Sequence, residues 1–261
     1  MWKEPFMMKR SFSLAIVGLA LAFNPLSAAS AADIKNVVIV HGAFADGSGW
    51  RAVSDSLTRQ GYKVSVVQQP LTSLEDDVSA TRRILEIQDG PSVLVGHSYG
   101  GMVITDAGNA KNVAGLVYIA AFQPDQGESL VKLAQGKPVP NMRKDSLQAT
   151  KDGFFYLNPE AFPELFAADL PKADAEFLAR SQVFASRKAF TTEAGAPAWK
   201  TKPSWALVAT EDRSINPDLE RDMAKRAGST VSEVKASHAV YASRPDDVVK
   251  LIVEAAQTLS K

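Results

Sequence analysis

Hydrophobic positions along the 261-residue chain fall into short continuous runs separated by stretches of helical spacing. The runs Asn36–Val40, Lys63–Gln68, Ser92–Gly96, Gly115–Ala120 and Trp205–Thr210 are rich in β-branched residues and bounded by turn formers, and a weaker sixth covers Thr230–Val234. Continuous rather than alternating apolarity predicts strands buried on both faces of a parallel sheet. The intervening segments read as helices. Leu74–Gln88 opens with Ser73 and Asp76 in capping-box relation, and Glu75 in the first turn suits the helix dipole. The last segment opens with Ser243 and Asp246 in the same relation and sets Val248, Leu251, Ile252, Ala255 and Leu259 on one face. Repeated alternation of strand and helix implies right-handed crossovers and a doubly wound, mostly parallel six-stranded α/β sheet.

Two stretches break the pattern. Lys9 and Arg10 precede an uncharged apolar run, Ser11–Phe23, then Asn24, Pro25 and a small-residue tract ending Ala-Ala-Ser-Ala-Ala. This is the order of a cleavable secretory signal over residues 1–32, with cleavage after Ala31 or Ala32. The run falls short of the ~20 apolar residues that span a bilayer, so no stable membrane anchor is expected once it is removed. Export places the mature chain in a bacterial periplasm or the medium. Residues 122–203 hold no strand-like run; they carry helix-permissive pieces and many aromatics, as expected of a lid or inserted subdomain. The core is then 33–121 together with 204–261.

Composition narrows the chemistry. With 29 basic and 29 acidic side chains the formal charge is zero, which gives no footprint for nucleic acid. There is no cysteine and there are three histidines, so thiolate catalysis, disulfides and Cys-based metal sites are excluded and a His-rich site is disfavoured. No metal and no cofactor are expected. What remains are hydroxyl, carboxylate, imidazole and backbone groups.

The strand Ser92–Gly96 runs into Gly96-His97-Ser98-Tyr99-Gly100-Gly101 and then a helical stretch. Gly-x-Ser-x-Gly between strand and helix is a nucleophile elbow, its glycines allowing strand and helix to approach closely. A serine alcohol needs a base. His41 lies just after the first strand and reads as a structural loop residue, and His97 points away from the serine, which leaves His238 in the loop before the last helix. A carboxylate must hold the imidazole. Asp212, just past the Trp205–Thr210 strand, is chosen, with Glu211 in reserve. His41-Gly42-Ala43 offers a backbone N–H at Ala43 that, with that of Tyr99, would form an oxyanion hole. Phe44, Tyr99 and Phe122 are candidates for the substrate pocket.

These residues resemble the α/β-hydrolase family over essentially the whole mature chain: His41-Gly42-Ala43, the Gly96–Gly101 elbow, Asp212 after a strand and His238 before the last helix. The compact layout is similar to the subgroup of plant methyl-ester esterases and hydroxynitrile lyases. The resemblance implies a helical cap over 122–203, and ester hydrolysis through an acyl-enzyme without metal or organic cofactor. Ala239 stands where such lyases carry a lysine, which counts against cyanohydrin cleavage. Gln68–Ser73 lacks the Asp-x-x-Gly-x-Gly-x-Ser of many relatives, and Ser98 excludes the Asp-nucleophile dehalogenases and epoxide hydrolases.

The sequence therefore predicts an exported serine esterase with a Ser98–His238–Asp212 triad and a small-molecule ester or lactone as its partner. Two other readings fit the same residues: a cofactor-free perhydrolase or haloperoxidase-like enzyme, and a ligand-binding protein on a hydrolase scaffold. Which ester is cleaved and the oligomeric state are not set by the sequence.

Overall fold

Successive side chains of a strand point to opposite faces, so a strand apolar at every position must be covered twice. The computed structural model, which describes residues 1–4, 33–140 and 142–260, shows this arrangement. In chain order the strands are β1 (Asn36–Val40), β2 (Lys63–Val67), β3 (Ser92–Ser98), β4 (Val113–Ala121), β5 (Leu147–Ala149), β6 (Phe154–Leu157), β7 (Ala185–Ser186), β8 (Ser204–Ala209) and β9 (Thr230–Val234). The helices are α1 (Arg51–Arg59), α2 (Leu74–Glu86), α3 (Gly100–Ala107), α4 (Leu130–Gly136), α5 (Phe162–Phe166), α6 (Lys172–Arg180), α7 (Arg187–Thr191), α8 (Pro217–Ala227), α9 (Val240–Ser243) and α10 (Pro245–Leu259). Apart from its first four residues, the expected signal segment lies outside the described residues.

The main sheet has the order β2-β1-β3-β4-β8-β9, with every neighbouring pair parallel. Odd-numbered positions such as Val37, Ile39, Val95, Val117 and Ile119 meet α1 and α10 on one face, while Val38, Val40, Leu94, Leu116 and Tyr118 meet α2, α3 and α8 on the other. Burying each such Val or Ile is worth about 1.5–3 kcal/mol. β9 reads weakly because it is an edge strand whose Thr230, Val231 and Glu233 are exposed.

Helix starts follow capping chemistry in one case and depart from it in another. Ser73 Oγ accepts the Asp76 N–H at 3.0 Å and starts α2 as expected. Ser243 does not cap the last helix. It ends α9, and α10 starts at Pro245 with Arg244 at the cap and no side-chain bond. Proline's fixed φ suits the first helical position and needs no N–H there, so it sets the start two residues further on.

Residues 122–203 also differ from expectation. Besides α4 to α7 they contain a three-stranded antiparallel sheet in the order β5-β6-β7. These strands are two to four residues long, below the length at which periodicity is readable. Their pairing joins Phe154 and Phe155 to Ser186 and Ala185, about thirty residues away, so no local pattern announces it.

Candidate active site

The elbow is built by close approach. Ser98 ends β3 with φ +53°, a left-handed conformation, and Tyr99 leads directly into α3. A Cβ on Gly100 would lie 2.5 Å from the Val40 carbonyl oxygen, so only glycine lets α3 seat against the end of β1. Gly42 does the same for the neighbouring loop: a Cβ there would meet Ser98 Cβ at 2.8 Å. This brings Ala43 beside the serine. Neither the Ala43 N–H nor the Tyr99 N–H has a protein acceptor among the described residues.

His238 stands on the loop between β9 and α9 and is 1% exposed. Its Nδ1 lies 2.5 Å from Asp212 Oδ2, and the other Asp212 oxygen accepts the N–H groups of Ser214 and Ile215 at 2.6 and 2.8 Å. Asp212 is buried whereas Glu211 is exposed and faces Lys235, so the structure places Asp212, not the reserve, behind the imidazole. With the Nδ1 proton engaged by the carboxylate, His238 Nε2 is left as the basic nitrogen.

The other two histidines support this arrangement. His97 Nε2–H donates to the His238 carbonyl at 2.9 Å, its ring centroid 4.6 Å from that of His238. Burial, then the neighbouring His238, push the His97 imidazole well below its ordinary range, so it stays neutral. His41 accepts the Gln69 N–H on Nε2 at 3.2 Å and donates from Nδ1 to the Gly42 carbonyl at 2.9 Å, tying together the loops after β1 and β2. Burial lowers its pKa as well. Both act as structural residues.

Ser98, His238, Ala43, Tyr99, Phe44 and Phe122 line one cavity of about 340 Å³. Asp212 lies behind His238, outside the lining. The remaining wall comes from Ser214 and Ile215 and from the segment between β4 and β8: Leu130, Val131, Ala134, Gln135, Pro138, Met142, Leu147, Phe155, Leu157, Phe166 and Phe190. No charged side chain is among the described lining residues.

Sequence reasoning missed three contributors. The segment Glu164–Asp169 grips the loops that carry Asp212 and His238: Leu165 O accepts Ser214 Oγ–H at 3.0 Å, Phe166 O accepts the Ala239 N–H at 2.7 Å, and Asp169 Oδ2 accepts the Ser237 N–H at 3.0 Å. The Phe166 ring stands edge-on to His238 with centroids 4.7 Å apart. Asp77 and Glu220 are buried acids on the inward stripes of α2 and α8. A charged residue at an apolar position of a helical period is the signal that would have found them.

Asp77 accepts the Tyr99 phenol at 2.7 Å and the Leu71 N–H at 2.8 Å, fixing the ring next to Ser98. Desolvation outweighs these bonds and raises its carboxyl from 3.8 to about 6. Because the folded value lies above the unfolded one, the contribution to stability is full below about pH 4 and is lost as pH rises through about 6. The loss is about 2–3 kcal/mol. Asp77→Asn has no proton to lose. Chemical denaturation at pH 4.5 and pH 8 should show the variant gaining on wild type at the higher pH by that order, and parallel pH dependences would refute the assignment.

A parallel sheet in this order, with the serine turn leading into α3 and the imidazole–carboxylate pair on loops past β8 and β9, defines an alpha/beta hydrolase. Residues 37–251 match the alpha/beta hydrolase family, and the chain belongs to it. It is 37% identical over 116 residues to a carbendazim hydrolyzing esterase of Nocardioides, a match covering 38% of this chain and 47% of that relative, so the chain spans about half of its length. It is 26% identical over 250 residues to a pyrethroid hydrolase of Sphingobium wenxiniae, covering 85% and 87%. Among solved structures, polyneuridine aldehyde esterase is similar in fold, with a TM-score of 0.73 at 19% identity over 85% of this chain and 99% of that one.

Proposed function

We propose that the protein is an exported serine hydrolase of neutral, apolar carboxylic esters, lactones included. The observation that carries this reading is one apolar cavity holding both the left-handed Ser98 and His238, with Asp212 bonded behind the imidazole. Ser98 Oγ attacks the ester carbonyl while its proton passes to His238 Nε2. The tetrahedral oxyanion is held by the Ala43 and Tyr99 N–H groups, which have no protein acceptor among the described residues. Collapse expels the alcohol, which takes the proton from His238, and water activated by the same nitrogen then releases the acid. Asp212 orients His238 and stabilises its charged form.

A wall whose described lining residues carry no acidic, lysine or arginine side chain would have to desolvate any charge on the substrate, so acyl groups bearing a carboxylate are disfavoured. The names of two relatives, hydrolases of carbendazim and of pyrethroids, support hydrolysis as the reaction. Export rests on the basic, apolar and small-residue order of residues 9–32; N-terminal sequencing of the periplasmic protein should begin at Ala32 or Asp33, and an intact Met1 would refute it.

A fluorophosphonate probe tests the mechanism. One adduct on Ser98, with loss of p-nitrophenyl butyrate hydrolysis, is expected. A folded protein that takes no adduct would favour a ligand-binding scaffold instead.

A further inference from the structure

Helix α8 turns Leu219, Met223 and Ala224 into the core, and Glu220 points the same way. It is 4% exposed, and neither carboxyl oxygen finds an ordinary donor among the described residues. The polar groups it meets are the Asp212 carboxyl and the Ala209 backbone. Among the described residues no cation is bonded to it, and Arg221 acts on it only as a more distant charge. Arg221, the next residue, directs its guanidinium to Asp218 and Glu233 at the surface. From the elements packed against α8, Tyr118 on β4 and Glu233 on β9 are the titratable residues, and Lys137 and Glu128 pair its outer side through Asp222 and Arg226.

Two buried carboxyls within hydrogen-bonding reach of each other, with no cation bonded to Glu220 among the described residues, strongly disfavour ionisation of both. The hydrogen bonds decide which one holds the proton. Asp212 already accepts three N–H groups, from His238, Ser214 and Ile215, whereas Glu220 accepts none at ordinary geometry. Its only way to satisfy a buried polar group beside an acceptor is to donate.

We propose that Glu220 is a positioning residue: a neutral carboxylic acid whose O–H donates to Asp212 and holds the acid that orients His238. Burial first, and then the charge of Asp212, push the Glu220 carboxyl well above the usual carboxylate range, in the same direction. The inference rests on the reading of Ser98, His238 and Asp212 as a triad. It adds a fourth member from a different element, so that the loop after β8, α8 and the β9–α9 loop are joined by one chain of hydrogen bonds.

The test uses the full-length protein and two variants. At pH 8 the infrared spectrum of wild type should show the carbonyl stretch of a protonated carboxylic acid, lost in Glu220→Gln; Asp77, titrating at about 6, is ionised there. Gln keeps a donor without charge. Its kcat on p-nitrophenyl butyrate should stay within about threefold of wild type with an unmoved acid limb of kcat/KM. Glu220→Leu removes the donor: kcat should fall about tenfold with KM nearly constant, and the acid limb should move to higher pH. Absence of the infrared band, a downward shift of the acid limb in Glu220→Gln by about half a unit or more, or a Leu variant equal to wild type would overturn the proposal. If wild type hydrolyses no ester, the triad reading fails on its own, and the infrared band still decides the state of Glu220.

Discussion

Replacing Ser98 with alanine is expected to lower kcat for p-nitrophenyl butyrate by roughly 10⁵- to 10⁶-fold, the loss that follows from its proposed role as the nucleophile of a triad. The fold should hold, because alanine at φ +53° bears the same left-handed strain as serine and leaves only a hydroxyl-sized space facing the cavity. Ser98→Gly sharpens the result. It should be equally inactive yet more stable, since relief of the left-handed strain exceeds the added chain entropy by about 0.5–1 kcal/mol. For a chain of this size that is roughly 1–4 °C. Differential scanning calorimetry beside steady-state kinetics reads both effects. Turnover by Ser98→Ala above about a hundredth of wild type would place the nucleophile elsewhere, and a glycine variant that melts lower would refute stored strain at the elbow.

Asp212→Asn is expected to cost about 10⁴-fold in kcat, through the tautomer of His238. One oxygen of Asp212 accepts two backbone N–H groups, from Ser214 and Ile215. An asparagine must keep its own oxygen there, which turns its NH₂ toward His238 Nδ1. That nitrogen then becomes the acceptor and the ring proton moves to Nε2, where it blocks acceptance of the serine proton. Glu211→Gln, by contrast, should retain near wild-type kcat, because Glu211 faces Lys235 in solvent. Equal losses in the two variants would show that the carboxylate behind His238 is misassigned.

The core sheet was legible because both of its faces are covered: Val37 to Val40 are all buried, so nearly every residue of such a strand is apolar. The elbow was legible because its glycines and serine are adjacent in sequence. Asp212 and His238 could be placed because each lies directly past the end of a core strand, and three histidines left few choices. Other features were not local. Glu220 gains its meaning from Asp212 eight positions earlier and from the core around it. The strands β5 to β7 exist through pairing across the segment that carries α5 and α6, and the Ser243 cap was outweighed by Pro245 two residues on. Asp77 lies beside the capping pair of α2, yet it serves Tyr99 on another element.

The grip of residues 164–169 on the loops that carry Asp212 and His238 has a consequence for altering substrate range. That segment is a foundation: substitutions at Phe166 or Asp169 would disturb His238 whatever they did to the pocket. Leu130, Val131 and Phe155 line the same cavity from α4 and β6. Diversity introduced at those positions can reshape the chamber while His238 and Asp212 keep their foundation, so one end of the insertion can vary where the other must stay constant.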